Sequence, residues 1–269
     1  MKYGLGFSKV MNKPNILISN DDGIDAIGLQ KLASELKKFS NVYIAAPHRQ
    51  QSAVGHSITI FYPLRASEYH RDGKFFGWAV EGTPADAVKA GVIFFFKDVK
   101  FDLVVSGINH GANTAINIIY SGTVSAATEG SILGIPSIAI SLATYERADF
   151  SLPAKISAKI IKNILTNSKF KLKSHTLLNI NIPNVPKDKI KGIIITKQGK
   201  SYWDDNLEVR ADPNGRDYYW LTGKNISADK TIDFDAKAVD EDYISITPLH
   251  FDLTDYETYE DIKNWNLKI

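Results

Sequence analysis

Asn15-Ile16-Leu17-Ile18-Ser19-Asn20-Asp21-Asp22-Gly23 decides how this chain is read. Ile16 to Ile18 form a short apolar run rich in β-branched residues, the mark of a buried strand. Residues leaving the carboxyl end of such a strand form the crevice where open α/β sheets bind ligands. Asp21 and Asp22 put two carboxylates at that point, and Gly23 lets the backbone turn. Paired carboxylates there are unfavourable unless a cation or hydrogen-bond donors offset them. A hard divalent metal, which prefers oxygen ligands, is the simplest compensator.

Outward from this stretch, the first half alternates strand-like and helix-like segments. Leu29, Leu32, Ala33 and Leu36 recur at helical spacing, and Val42 to Ala45 read as a second strand closed by Pro47. Phe76 to Val80 is a further short strand. Thr83-Pro84 reads as an N-cap with proline in the first helical turn, and Val88, Val92 and Phe95 supply the apolar stripe. Asp102 to Val105 is an almost continuous apolar run, as in a strand covered on both faces. A helix over Thr123 to Leu133, a strand over Ser137 to Ser141, a helix carrying Ile156, Ile160, Ile161 and Ile164, and a strand over Thr176 to Ile182 follow. This order predicts an α/β fold: a Rossmann-like, doubly wound, largely parallel sheet.

The pattern changes near residue 190. Ile193 to Thr196 is a strand, but the Trp-, Tyr- and Asp-rich stretch beyond it lacks a helical period. Asp212-Pro213-Asn214-Gly215 is a turn signal between extended arms, which predicts a C-terminal β-hairpin over Val209 to Tyr219. Asp242 to Thr247 is a last strand, and Tyr256 to Trp265 a short helix. The organisation is an N-terminal extension (1–13), a core (14–190), and C-terminal strands, arm and tail (191–269) that serve oligomerisation and pack partly on the core.

Composition narrows the function. Thirty-two basic and 30 acidic residues give a formal net charge of +2, too balanced for an obligate nucleic-acid or membrane-surface binder. The absence of cysteine excludes disulfides and thiolate metal sites. The six histidines show no zinc-hydrolase spacing. No GxGxxG follows the first strand, and neither a P-loop nor a GxSxG elbow is present. With no transmembrane-length apolar run and no secretory signal pattern, a cytoplasmic protein without membrane or stable nucleic-acid partners is expected.

Four polar, glycine-bearing loops follow core strands: Asn20 to Gly23, Ala46 to Thr59 (APHRQQSAVGHSIT), Ser106 to Asn113 (SGINHGAN) and Tyr120 to Val124 (YSGTV). Aspartate, serine and asparagine oxygens suit Mg²⁺ or Mn²⁺. Ser121, Gly122 and Thr123 stand at a helix start, a natural anion site. Singly, Asp-Asp-Gly is a solvated turn, Ser121-Gly122-Thr123 a helix cap and His56 a hydrogen-bonded loop residue. Convergence of all four loops at one sheet edge makes the case for metal-assisted phosphate chemistry. The aromatic cluster Tyr202, Trp203, Tyr218, Tyr219 and Trp220 fits hairpin packing or an oligomer contact better than base stacking for RNA. A nucleotide sensor built on the same loops is the other reading.

With these residues assembled, the chain resembles the SurE (survival protein E) family of nucleotidases. The resemblance rests on ILISNDDGIDAIGL (16–29), APHRQQSAVGHSIT (46–59), VEGTPADAVKAG (80–91), DLVVSGINHGAN (102–113), YSGTVSAATEG (120–130), GIPSIAIS (134–141), DPNGRDYYWL (212–221) and DYISITPLHFDLT (242–254). It implies a divalent-metal-dependent phosphohydrolase acting on nucleoside 5′- and 3′-monophosphates, with short polyphosphate as a further substrate. It implies one Mg²⁺ or Mn²⁺ per subunit held by Asp21, Asp22, Ser52 and Asn109, with Asp21 and Asp22 catalytic. Asn113, Ser121, Gly122 and Thr123 would hold the phosphate or shape its pocket. Dimers or tetramers with an exchanged C-terminal segment are also implied. Two positions depart from the pattern: His48 stands where an acidic residue is common, and Ala53 where glycine is common. Alanine suits the second unless φ is positive there.

Overall fold

The structure is a computed structural model, and it describes residues 13–167, 172–173, 175–265 and 267. The N-terminal extension expected over 1–13 therefore lies, but for Lys13, outside the described residues.

The quoted stretch forms β1 (Asn15–Ser19), which lies inside a nine-stranded sheet. Its side chains alternate between two apolar layers: Ile16 and Ile18 face one, Leu17 the other, and all three are completely buried. α1 (Ile27–Leu36) lays Leu29, Leu32, Ala33 and Leu36 on the Ile16/Ile18 side. β2 (Asn41–Pro47) pairs parallel with β1. Next come β3 (Arg65–Arg71) and β4 (Lys74–Glu81), an antiparallel pair whose β4 joins β2 in parallel. β3 is absent from the sequence reading because it is an exposed edge strand with no apolar alternation to betray it.

α2 (Pro84–Ala90) opens as anticipated: the Thr83 hydroxyl accepts from Asp86 N–H while Asp86 reaches back to Thr83 N–H. A π-helical turn over Gly91–Phe95 continues it. β5 (Leu103–His110) pairs parallel with β1 on the side opposite β2. After the short α3 (Asn117–Tyr120) come α4 (Gly122–Ile132), β6 (Ser137–Ala143), α5 (Ser151–Thr166) and β7 (Thr176–Pro183). α5 packs beside α1 through Ala154, Ala158 and Ile161, whereas α2 and α4 bring Val88 and Ala126 to the Leu17 face. Helices thus cover both faces of the sheet, the doubly wound architecture.

The remaining strands are β8 (Gly192–Ile195), β9 (Tyr202–Ala211), β10 (Asp217–Ile226) and β11 (Tyr243–His250). β11 runs antiparallel to β7 and parallel to β8, so the sheet order is β3-β4-β2-β1-β5-β6-β7-β11-β8. β9 and β10 form a separate hairpin, longer than expected, whose residues are exposed throughout. With neither face buried, nothing imposed the alternation by which a strand's length is read. α6 (Asp235–Asp240) precedes β11 and α7 (Tyr256–Lys263) follows it. α6 is too short to show a period.

The chain moves from β1 to β2 and β4 on one side, then crosses to β5 on the other. The gap between the carboxyl ends of β1 and β5 is therefore the topological switch point, where this architecture places ligands.

Candidate active site

Each of the four loops is tied to another by a specific hydrogen bond. Asn20 closes the first turn by donating its side-chain amide to Gly23 O at 2.9 Å, and Gly23 sits at φ 96, where only glycine is unstrained. Gln51 N–H donates to Asp21 O at 2.7 Å, which joins the second loop to the first. Gly55 N–H donates to Tyr120 O at 3.0 Å, which joins the second to the fourth. His110 N–H reaches Asp22 Oδ2 at 3.2 Å, and Thr123 Oγ1 donates to Asp21 Oδ1 at 2.5 Å. Chain positions a hundred residues apart thus meet on two neighbouring carboxylates.

The third of these segments is not a loop over its whole length. β5 continues through Ser106 to His110, because Asn109 and His110 pair with Ser141 and Leu142 of β6 beyond a register shift. Polar side chains at the strand's end hid this continuation. Asn109 is thereby carried on the rigid sheet, and its amide N–H donates to Gly111 O at 2.7 Å, leaving Oδ1 as its available acceptor.

Asp21, Ser52, Asn109, Asn113 and Ser121 line one cavity of about 230 Å³. Asp22 flanks it through His110, which also lines it. Ser121 accepts Val124 N–H on its hydroxyl, so it caps α4 while its residue borders the cavity. Gly122 and Thr123 do not line the cavity; both lie against Asp21, which does. A Cβ on Gly122 would lie 2.8 Å from Asp21 Cβ, so the helix start approaches the carboxylate as closely as a glycine permits. Thr123 is completely buried and spends its hydroxyl on Asp21. His56 is turned away, with Nε2 3.0 Å from Glu129 Oε2, while Lys89 Nζ holds Glu129 Oε1 at 2.6 Å. Burial pushes the Glu129 carboxyl up, but the His56 and Lys89 contacts outweigh it and hold it below its ordinary value.

Asn113 is fixed by residues the sequence reading did not single out. Its N–H donates to Asn181 Oδ1 (2.8 Å), its side-chain amide to Ser141 Oγ (2.9 Å), and its carbonyl accepts from Asn179 and Asn181. Two asparagines alternating within the otherwise apolar β7 were the available signal. Asn117 and Trp203 were also missed as a pair. Trp203 Nε1, at the hairpin's base, donates to Asn117 Oδ1 at 2.8 Å. These two residues border the small cavity and two larger ones, of about 570 and 790 Å³. Tyr120 and Tyr202 continue the aromatic wall of the last. Ala53, beside Ser52, has φ 55, so the alanine sits in the left-handed region that glycine would occupy without strain.

The electrostatics of the two carboxylates suit a cation. Burial drives the Asp21 carboxyl from 3.8 up to about 6; the Thr123 hydroxyl opposes this and the neighbouring Asp22 adds to it. Asp22 is raised too, again by burial first, with the His110 N–H acting against it. No cationic side chain among the described residues offsets Asp21. Nor do three histidine, cysteine, aspartate or glutamate side chains cluster as a metal centre among the described residues. The oxygen-bearing side chains brought together here are instead the Asp21 and Asp22 carboxylates with neutral Ser52 and Asn109. That composition suits a hard cation that keeps part of its water shell.

Comparison with known proteins identifies the family. Residues 16–205 match the family model described as survival protein SurE. The 5′-nucleotidase SurE of Chlorobium phaeobacteroides is 45% identical over 258 residues, covering 96% of this chain and 98% of the relative. That of Syntrophus aciditrophicus is 47% identical over 248 residues, covering 92% of each. The crystal structure of the SurE protein from Aquifex aeolicus superposes with a TM-score of 0.80 at 40% identity, covering 93% of this chain and 98% of that one. The chain belongs to the SurE family.

Proposed function

We propose that this chain is a 5′-nucleotidase that hydrolyses nucleoside monophosphates, accepts 3′-monophosphates, and trims short polyphosphate. One observation carries the reading: Asp21, with Asp22 beside it and no cationic side chain among the described residues offsetting it, lines a small polar cavity that shares Tyr120 and Trp203 with a larger, aromatic-walled one. The small cavity takes the phosphate, and the space walled by Tyr120, Tyr202 and Trp203 takes the nucleoside.

Asp21, Asp22, Ser52 and Asn109 would hold one Mg²⁺ or Mn²⁺ per subunit. When bound, such an ion offsets phosphate charge and makes water more acidic. The chain's own groups do the rest. Thr123 fixes the orientation of Asp21. The start of α4 and the Asn113 side chain border the phosphate, where helix N–H groups favour negative charge. Water attacks phosphorus as the phosphorus–ester oxygen bond breaks; Asp21 or Asp22 accepts the water's proton, and the leaving oxygen takes a proton from solvent water to depart as the nucleoside hydroxyl. The hairpin of β9 and β10 serves as an arm exchanged between subunits of a dimer or tetramer. Its exposed Tyr219, Trp220 and Leu221 support this, because a lone two-stranded hairpin has little stability of its own. A cytoplasmic location completes the proposal; no helix among the described residues is long and apolar enough to cross a membrane.

The test is phosphate release from 5′- and 3′-nucleoside monophosphates and from short polyphosphate, with Mn²⁺, Mg²⁺ or EDTA. Release that EDTA abolishes is the expected result, and its pattern ranks the substrates. A folded protein that releases no phosphate with either metal overturns the proposal.

A further inference from the structure

Asp235 opens α6 and is completely buried, yet nothing in the proposed chemistry uses it. Its carboxylate gathers backbone donors from three separate places. Ala115 N–H lies 3.2 and 3.1 Å from its two oxygens, Gly199 N–H 2.9 Å and Ala236 N–H 2.7 Å from Oδ1. The Ala115 donor is the informative one. Ala115 has φ 51, a left-handed conformation that alanine leaves unless it is held there. Its carbonyl is held as well, accepting from Gln198 Nε2 at 3.0 Å. The N–H and C=O of this strained residue are therefore clamped from both flanks of the hairpin, by Asp235 after it and by the Gln198 segment before it. A second buried carboxylate, Asp229, grips the same segment through Lys200 N–H at 3.0 Å and Ser201 Oγ at 3.1 Å. Asn113, the amide that borders the phosphate cavity, lies two residues before Ala115, and Asn117, the partner of Trp203, lies two residues after it.

We propose that Asp235 is a positioning residue: its carboxylate locks Ala115 in the left-handed turn that sets Asn113 in the phosphate cavity, and so couples that cavity to the base of the hairpin. The term phosphate cavity rests on the function proposed above; the lock itself does not. An ionised carboxylate is suited to the task because it accepts on every side. Asparagine offers one acceptor oxygen and turns an N–H₂ group toward donors. Glycine at 115 needs no lock, since it takes positive φ freely.

The experiment uses the full chain with Asp235→Asn, Ala115→Gly and their combination. Calorimetry with inorganic phosphate in Mn²⁺ reads the cavity, hydrogen exchange over residues 111–117 reads the turn, and thermal unfolding reads the fold. Asp235→Asn is expected to weaken phosphate binding about tenfold and to speed exchange at 111–117. Adding Ala115→Gly should restore phosphate affinity to within about threefold of the parent, but not the melting temperature, because the buried amide group that replaces Oδ2 still meets the residue-115 N–H donor to donor. A merely structural aspartate would give the reverse, with affinity and stability lost together and neither rescued by glycine. That result overturns the proposal, as does an Asp235→Asn protein with unchanged exchange at 111–117. If Asp235→Asn does not fold, Gln198→Ala removes the other half of the clamp from an exposed side chain. A loss of about threefold, reversed by Ala115→Gly, is then expected, and no loss refutes the lock. A parent protein that binds no phosphate refutes the proposed function instead, and hydrogen exchange still decides the lock.

Discussion

Asp21→Asn should stabilise the metal-free protein while removing its activity. Asp21 is 5% exposed, and its burial raises the carboxyl from 3.8 to about 6. The folded chain therefore holds this proton more tightly than the unfolded chain does. Stability from this group is complete below pH 3.8 and is lost as pH climbs through about 6. Two pH units at about 1.4 kcal/mol each place the deficit at neutral pH on the order of 3 kcal/mol. Asparagine is neutral at every pH, has nearly the same shape, and can still accept from Thr123. In EDTA, the gain of Asp21→Asn over the parent should be small at pH 4, grow through pH 6, and level off near 3 kcal/mol. That corresponds to roughly 6–12 °C in melting temperature for a chain of this size. The assay is thermal and urea unfolding across that pH range, at one fixed protomer concentration. Mn²⁺ should then stabilise the parent far more than the variant. A parent as stable as Asp21→Asn at pH 8 in EDTA, or a gap that does not change with pH, refutes the electrostatic reasoning.

Three further substitutions probe the supports of the site. Gly122→Ala forces a methyl to within 2.8 Å of Asp21 Cβ and 3.1 Å of Gln51 O, so it should lower kcat/KM by at least about tenfold and destabilise by about 1–3 kcal/mol, read by steady-state kinetics and urea melts. Thr123→Val removes the hydroxyl that lowers the Asp21 carboxyl; the acidic limb of the kcat/KM profile should move to higher pH, and an unmoved limb would separate Asp21 from that limb. Ala53→Val puts a β-branched side chain at φ 55 and should cost about 2 kcal/mol in a urea melt, whereas Ala53→Gly should equal or exceed the parent.

The sheet core was legible because burial on both faces leaves a strong trace. Ile16 to Ile18, Leu103 to Val105 and Ile138 to Ile140 are apolar without interruption, and each lies in a central strand. The α2 cap was equally plain, since Thr83, Pro84 and Asp86 are the residues that a capping box demands. Legibility failed where burial did. β3 and the parts of the hairpin arms nearer its base are exposed, so no alternation marks their ends. It failed again where glycine and polar residues continue a strand, as in the Ser106 to His110 half of β5, which reads as a loop but pairs with β6. The proposed ligands could be named from the loops that bear them. Their supports could not, because Asn179, Asn181 and Asp235 act through backbone groups far away in sequence. Ala115 illustrates the limit well: nothing about an alanine announces a positive φ.

The central claim is that the two aspartates following β1 carry the chemistry. It is tested most directly by measuring phosphate release from adenosine 5′-monophosphate in Mn²⁺ by the parent and by Asp22→Asn, with circular dichroism confirming that both are folded. Steady release by the parent and none above background by Asp22→Asn is the predicted result. An Asp22→Asn protein that turns over at a rate near the parent's would contradict the account.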